Sequence, residues 1–341
     1  MKILYVGPLW DGSTTLQRMH AIESFGHKII PHDTTRWTHP QKWNRILCSL
    51  AHRVNWGPNV WSYNNLLIDH ARSIKHIDLI WVDKGVWLYP ETLNILKQLH
   101  DCPALHFTPD PAIIFHKSRY FKKCIPIYEW LVTTKPFEVD LYRNLGAKNV
   151  IFVLQGFDLK FANYKPTTEI PIERHSDVCF IGHYERHYAD TLKIATEASD
   201  LVKVWGPKWP QYASKNSWAK PIVYGGGLWG DDYLDALSGA KIGLGLLSKW
   251  IPETTTTRSF EIPALGTFLL AERTNDHLSL FEEGKEAEFF ESEDELKDKI
   301  NFYLSNDVAR NKIAIAGQHR CLNSGYSNIE QMKKIFEVII N

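Results

Sequence analysis

The densest set of chemically capable side chains lies in Trp250–Thr274, WIPETTTTRSFEIPALGTFLLAERT. Four threonines, Thr254 to Thr257, precede Arg258, and a short helical pattern follows. A helix start presents unpaired N–H groups and the positive end of a dipole. Hydroxyls at Thr255, Thr256 and Thr257 add donors, and a guanidinium at Arg258 can grip phosphate bidentately. That is the equipment a nucleoside diphosphate needs. Glu253 and Glu261 are separated by seven residues. A carboxylate at Glu261, just inside the helix, can accept from both hydroxyls of a ribose. Glutamates at this spacing are common on solvated helix ends, so the pair gains meaning only from Arg258 and the threonines beside it.

Other candidates are weaker. His183, Glu185 and His187 spell H-x-E-x-H, and two histidines four apart on a helix can share a metal. No third ligand is evident, so a loop beside a phosphate site with ordinary histidines is the favoured reading, and no metal is expected. The loop Gly7, Trp10, Asp11, Gly12 follows a first strand but lacks G-x-G-x-x-G, which argues against a dinucleotide cofactor. Asp110, after a strand end, and His20 are the available carboxylate and imidazole for a general base in the first half. A turn aspartate between two prolines is the blander account of Asp110.

These residues must be positioned by a chain of 341 residues, enough for about two domains. Lys plus Arg (39) equals Asp plus Glu (39), whereas a nonspecific nucleic-acid binder carries a basic excess. Nucleic acid is therefore not an expected partner. The five cysteines are scattered with no C-x-x-C, so neither a disulfide framework nor a zinc ribbon is suggested, and a reduced cytoplasmic setting is expected. No run approaches the ~20 apolar residues of a membrane span. Lys117, Arg119, Lys122 and Lys123 cluster around Tyr120 and Phe121. A solvated basic loop is favoured there, with peripheral contact at the inner face of a membrane left open.

Short β-rich runs alternate with helical patterns, which argues for α/β with parallel sheets. KILYVG, DLIWVD and DVCFIG read as buried strands. Thr14 with Gln17, and Ser292 with Glu295, have capping-box spacing. Pro40 to Ile74 reads as largely helical. Gly156–Ser176, polar and holding Pro166 and Pro171, reads as a domain linker. The expected organisation is an N-terminal domain over 1–160, a second over 176–326, and a final helix over 327–341 packing back on the first. Ligands of such sheets bind outside the strand C-termini, here in a shared cleft.

The strand, loop, E-x7-E and following apolar strand resemble the donor site of two-Rossmann-domain (GT-B) glycosyltransferases. TTTRSFEIPALGTFLLAERT, LFEEGKEAEFF, a helix ending near Tyr303-Leu304, the late Arg320, and DVCFIGHYERHYADTL with Gly182 and Arg186 are more closely similar to the spore maturation protein CgeB family. The resemblance covers residues 176–326 and is weaker before them. It implies an α/β fold of two Rossmann-like domains facing a central cleft. It further implies a hexosyltransferase-type enzyme moving a sugar from a nucleotide-diphosphate donor, a UDP-sugar first, to a glycan or surface-polymer acceptor. The nucleotide sugar is a substrate, so no cofactor is expected. By the same resemblance Glu261 binds the ribose, and Glu253 lies near the donor sugar or its phosphates. Arg258, Arg186 and the threonines neutralise the diphosphate. Tyr224 and Gly225 to Gly227 line the base pocket, and the Gly7–Gly12 loop faces the acceptor. Retention at the anomeric carbon and metal independence are further implications. Inversion would require a base such as Asp110 or His20. Pro263 fits the pattern only if it falls in the first helical turn. A nucleotide-sugar epimerase of the same fold, and a non-catalytic sugar-binding or coat-associated protein, are the competing readings.

Overall fold

The computed structural model describes residues 1–38, 46, 48–49, 54–116, 118–165 and 174–340. Two compact units result, Met1–Leu154 with Asn328–Asn341, and Gln155–Ser327.

The first unit holds six parallel strands: β1 Lys2–Gly7, β2 Lys28–Asp33, β3 Leu79–Asp83, β4 Ala104–Thr108, β5 Trp130–Thr133 and β6 Val150–Phe152, in the order 2-1-3-4-5-6. Ile3 lies beside Ile29 on one side and Leu79 on the other. Strands buried on both faces read as continuous apolar runs, which is why β1 and β3 show so plainly in the sequence. One face packs Leu4, Val6, Ile80 and Val82 against helices that include Pro58–Ser73 and Pro90–His100. The other face receives the final helix, Asn328–Ile340, through Met332, Ile335 and Phe336. Trp81 is stacked there against Phe107 and Phe336 at 6.0 and 6.1 Å. The first helix, Thr14–Glu23, is capped by Ser13, whose hydroxyl accepts from the Leu16 amide, and not by Thr14. The capping hydroxyl must come from the last extended residue, and that residue is Ser13. Of the stretch read as helical from Pro40, residues 40–45, 47 and 50–53 lie outside the described residues.

The second unit repeats the architecture with β7 Ser176–Ile181, β8 Val202–Trp205, β9 Val223–Gly225, β10 Ala240–Gly245, β11 Phe268–Glu272 and β12 Glu288–Phe290, all parallel, in the order 12-11-10-7-8-9. Val178, Phe180, Leu244 and Leu270 form its core with Leu296 and Ile300 of the helix Glu293–Ser305, which Ser292 caps. Part of the stretch read as a linker is ordered: helix Leu159–Asn163, capped by Asp158, belongs to this unit. Pro166 and Pro171 lie outside the described residues.

Each sheet has one place where the direction of strand progression reverses, between β1 and β3 in the first and between β7 and β10 in the second. At such switch points adjacent loops leave in opposite directions and open a crevice beyond the strand C-termini.

Candidate donor-nucleotide site

At the second switch point β7 ends at Ile181, followed by Gly182, and β10 ends at Gly245, followed by Leu246. Arg258, the first residue of the helix Arg258–Ala264, reaches into the space between them. Its Nη2 donates to the Leu246 carbonyl at 2.9 Å, and its guanidinium lies over the Phe180 ring at 5.3 Å. A Cβ on Gly182 would sit 3.2 Å from Arg258 Nη1 and 2.8 Å from Phe180 Cζ, so the bare glycine makes the room. The Arg258 Nε–H is buried without an acceptor among the described residues. An unsatisfied buried donor on a charged group is costly and calls for a partner. Thr256 Oγ1 is likewise buried and unpartnered.

The helix start offers fewer amides than its sequence suggests. Ser259 N–H donates to the Thr256 carbonyl, and the amides of Phe260 and Glu261 donate to that of Thr257. Thr257 occupies the cap position without a side-chain cap bond. Pro263 falls in the second turn, not the first. The helix accommodates it by ending at Ala264, with Gly266 at φ +84° turning the chain away.

Glu261 is buried, and its Oε2 accepts from the Tyr233 hydroxyl at 2.8 Å. Burial pushes its pKa up to about 7, against the Tyr233 hydrogen bond and the charges of Arg258 and Lys160. Glu253 accepts from the Ser248 amide at 3.0 Å, which folds the loop back on itself. Tyr188, almost fully buried, lies within electrostatic reach of Arg258, Glu253, Glu185 and Glu272. Arg186 is exposed at the start of helix Arg186–Ala198, without an ion-pair partner among the described residues. Tyr224 is exposed, with the Lys203 ammonium 4.6 Å from its ring centre and Gly225 beside it on β9.

The H-x-E-x-H residues do not converge. His183 Nε2 pairs with Glu185 at 2.8 Å, whereas His187 Nε2 turns to Glu272 at 3.3 Å. Among the described residues no group of three or more His, Cys, Asp or Glu could hold a metal ion.

Residues 186–337 match the family model described as Glycosyl transferase-like. No curated protein matches the chain. Similar solved structures include Anabaena HepE in complex with UDP-glucose, at 14% identity and TM-score 0.65 over 99% of both chains. Sucrose-phosphate synthase from Thermosynechococcus elongatus aligns at 12% identity and TM-score 0.69, covering 100% of this chain and 99% of that one. A mutant of S. aureus TarM in complex with fondaparinux, α-GlcNAc-glycerol and UDP aligns at 11% identity and TM-score 0.53, over 83% of this chain and 59% of that one. The fold is GT-B.

The matched segment contains Arg186, Tyr224, the threonine loop, Arg258 and Glu261. Within this glycosyltransferase-like region, three supports of the loop escaped the sequence reading. Ser259 Oγ accepts from Thr256 N–H and bonds His277 Nε2 at 2.8 Å, while His277 Nδ1 bonds the Glu272 carbonyl at 2.7 Å. The carbonyl partner places a proton on Nδ1, and burial lowers the pKa of His277. The Glu272 carboxylate accepts from Leu247 N–H and pairs with Lys249 and His187, tying the loop after β10 to the end of β11. Thr274 Oγ1 donates to the Thr254 carbonyl at 2.9 Å. No spacing rule finds these, because the bonds that join separate elements link partners 18 to 85 residues apart.

The remaining sequence-selected residues lie in the first unit. Asp110 pairs with Lys84 at 3.2 Å and is partly exposed. His20 is exposed near the C-terminal end of the first helix, about 9 Å along its axis from the strand ends that its N-terminus adjoins. Gly7 is buried; Trp10, Asp11 and Gly12 (φ +85°) form the turn into that helix. Of the basic cluster, Arg119, Lys122 and Lys123 are exposed on helix Arg119–Cys124, Lys117 lies outside the described residues, and Phe121 is core. A helix must bury one face, and Phe121 is on it, so the cluster lacks that apolar anchor. No helix among the described residues is long and apolar enough to cross a membrane.

Proposed function

We propose that this chain is a glycosyltransferase that takes a nucleoside-diphosphate sugar, a uridine one first, and transfers the sugar to a glycan or surface-polymer acceptor. The observation that carries the reading is Arg258: a guanidinium at a strand switch point, three residues before a buried carboxylate, with a buried Nε–H left without an acceptor. It stands in a segment matching a glycosyl transferase-like family. The HepE structure with UDP-glucose, and the TarM structure with UDP and α-GlcNAc-glycerol, support a uridine donor and a hydroxyl acceptor.

In this reading Glu261 accepts from the ribose hydroxyls. Arg258 and Arg186, with the hydroxyls of Thr255, Thr256 and Thr257, meet the diphosphate. Negative charge grows on the diphosphate as the bond to the sugar breaks, so these groups bind the transition state more tightly than the ground state. Glu253 lies beside the sugar, and Tyr224 with Gly225 borders the base. Retention is our reading of the stereochemistry: the leaving phosphate takes the acceptor's proton, so neither Asp110 nor His20 is required as a base. The kinship with CgeB-type proteins rests on the sequence motifs alone. Any contact with a membrane surface would use Arg119, Lys122 and Lys123.

A thermal-shift panel of UDP, GDP, dTDP and CMP tests the site. A ligand at a hundred times its Kd stabilises by about 2.7 kcal/mol. UDP is expected to raise the melting temperature, and Arg258→Ala to weaken UDP binding about 100-fold through loss of a charge-assisted contact. No stabilisation by any nucleotide, or an unchanged shift in Arg258→Ala, overturns the reading. NMR of the product's anomeric centre decides stereochemistry, and an inverted product removes the retaining assignment.

A further inference from the structure

Glu261 uses only one of its two oxygens within the protein. Oε2 takes the Tyr233 hydroxyl, while Oε1 has no hydrogen-bond partner among the described residues. Tyr233 comes from a different element, helix Gly230–Ser238, and is itself fixed. The Phe161 ring meets it edge-on at 5.9 Å, and the helix carrying Phe161 is tied to the Tyr233 helix by the Tyr164 hydroxyl on Asp235 at 2.6 Å. Burial and the adjacent carboxylate raise the Tyr233 phenol far above its ordinary pKa, so it remains a donor throughout the neutral range. The other charges facing Glu261 are Arg258 on its own helix, and Lys160 and Asp158 at the start of helix Leu159–Asn163.

A carboxylate accepts two ribose hydroxyls only when ionised; a protonated one loses an acceptor and presents a donor in its place. We propose that Tyr233 is a positioning residue for nucleotide binding: its hydroxyl holds Glu261 in the ionised form, with Oε1 directed at the ribose, and so sets the pH above which the donor binds. This rests on the assignment of Glu261 to the ribose. A hydrogen bond to the charged form favours that form, so removing it raises the pH at which the carboxylate ionises. The direction follows. Binding the donor expels a proton from a partly protonated Glu261, affinity rises with pH toward a plateau above neutrality, and loss of the Tyr233 hydroxyl moves that plateau upward.

The experiment is calorimetric titration of UDP into the wild type, Tyr233→Phe and Glu261→Gln from pH 5.5 to 8.5, in buffers of different ionisation enthalpy. The phosphate of UDP titrates in this window too, but identically for all three proteins, so differences between them report the protein. If the plateau moves by about one pH unit, Tyr233→Phe weakens UDP about tenfold at pH 5.5, about fivefold at pH 7 and less than twofold at pH 8.5. The wild type releases more protons on binding than Glu261→Gln. A Tyr233→Phe loss of the same size at every pH, or no loss, overturns the proposal while leaving the ribose assignment intact. Glu261→Gln binding as tightly as the wild type overturns the ribose assignment, and with it this one. No binding of UDP to the wild type at any pH overturns the site itself. Should Tyr233→Phe fail to fold, the wild-type proton release decides: release equal to that of Glu261→Gln refutes the proposal.

Discussion

Both units place an arginine at the switch point of a six-stranded parallel sheet, and the two arginines are treated in opposite ways. Arg18, between the ends of β1 and β3, is sealed: Nε and Nη2 donate to the Asp83 carboxylate at 2.9 and 3.0 Å, and both side chains are almost inaccessible. The Asp83 carboxylate also accepts from the Tyr5 and Thr15 hydroxyls at 3.2 Å each, and Arg18 lies over Phe107 at 4.4 Å. Every charge there has its counter-charge. Arg258, between the ends of β7 and β10, has a carbonyl and an aromatic face but, among the described residues, no carboxylate partner, and one buried N–H is unanswered. At one switch point the arginine meets a carboxylate of the protein; at the other it does not, which is the difference our proposed anion site rests on.

The largest effect therefore belongs to the sealed side. Asp83→Ala leaves Arg18 buried without a counter-charge, which typically costs about 3–5 kcal/mol, whereas replacing both residues by apolar ones of similar size costs much less. Urea unfolding is the measurement. A loss below about 1 kcal/mol in Asp83→Ala would mean that water reaches Arg18, and the contrast between the crevices would fail.

An intermediate effect follows from the unfinished side, with the opposite sign. The pKa of Glu261 stands at about 7, against 4.5 as the ordinary value. Between those values the folded protein binds more protons than the unfolded chain, so stability falls as pH rises from about 4.5 to 7 and stays lowered above it. The ceiling on this penalty is roughly 3 kcal/mol. Glutamine keeps an acceptor for Tyr233 and carries no charge. Glu261→Gln is accordingly expected to stabilise the ligand-free protein by about 1–2 kcal/mol at pH 8 and by almost nothing at pH 5, read from melting temperatures. Equal melting at both pH values would show the carboxylate to be hydrated rather than buried.

How much of this was legible follows from where each interaction is made. The central strands β1, β3 and β7 stood out as apolar runs because parallel strands inside a sheet are covered on both faces, whereas edge strands such as β2 and β9 are polar or exposed. Strand order did not, since 2-1-3-4-5-6 and 12-11-10-7-8-9 arise from the same alternation of strands and helices. Arg258 and Glu261 were readable because one short helix carries both. Tyr233, 28 residues before Glu261, was not, nor was the Arg18–Asp83 pair, 65 residues apart. Ser13 displaced Thr14 as the first cap because the decisive variable is the backbone angle, ψ 140° at Ser13, which a run of hydroxyl residues leaves undetermined. The second-turn Pro263 is tolerated because the helix stops one residue later. Helix Leu159–Asn163, too short for a periodic signal, was lost among polar residues until its Asp158 cap and Phe161 contact were seen.

The smallest effect is expected at Gly182, read against its matched glycine at the other crevice, Gly7. A Cβ at Gly7 would meet Thr15 Cγ2 at 2.7 Å and Asp83 Cβ at 3.0 Å, both inside the sealed network. Gly7→Ala must push the first helix off β1, and overpacking of this kind costs about 1–3 kcal/mol of stability. At Gly182 the Cβ would press on Phe180 Cζ and on the end of the Arg258 side chain. The guanidinium is the end of a long flexible side chain, so Gly182→Ala is expected to cost about 1 kcal/mol of stability, mainly from the Phe180 contact, and to weaken UDP about threefold by displacing the guanidinium. Melting temperature and UDP affinity, measured on both variants, test whether the two switch points differ in function. If Gly182→Ala lowers stability as much as Gly7→Ala while leaving UDP affinity untouched, then the second crevice is packed like the first and Arg258 is an architectural group. If the two losses divide as expected, one falling on folding and the other on the ligand, the geometry of a single bare glycine at each strand end separates a structural arginine from a binding one.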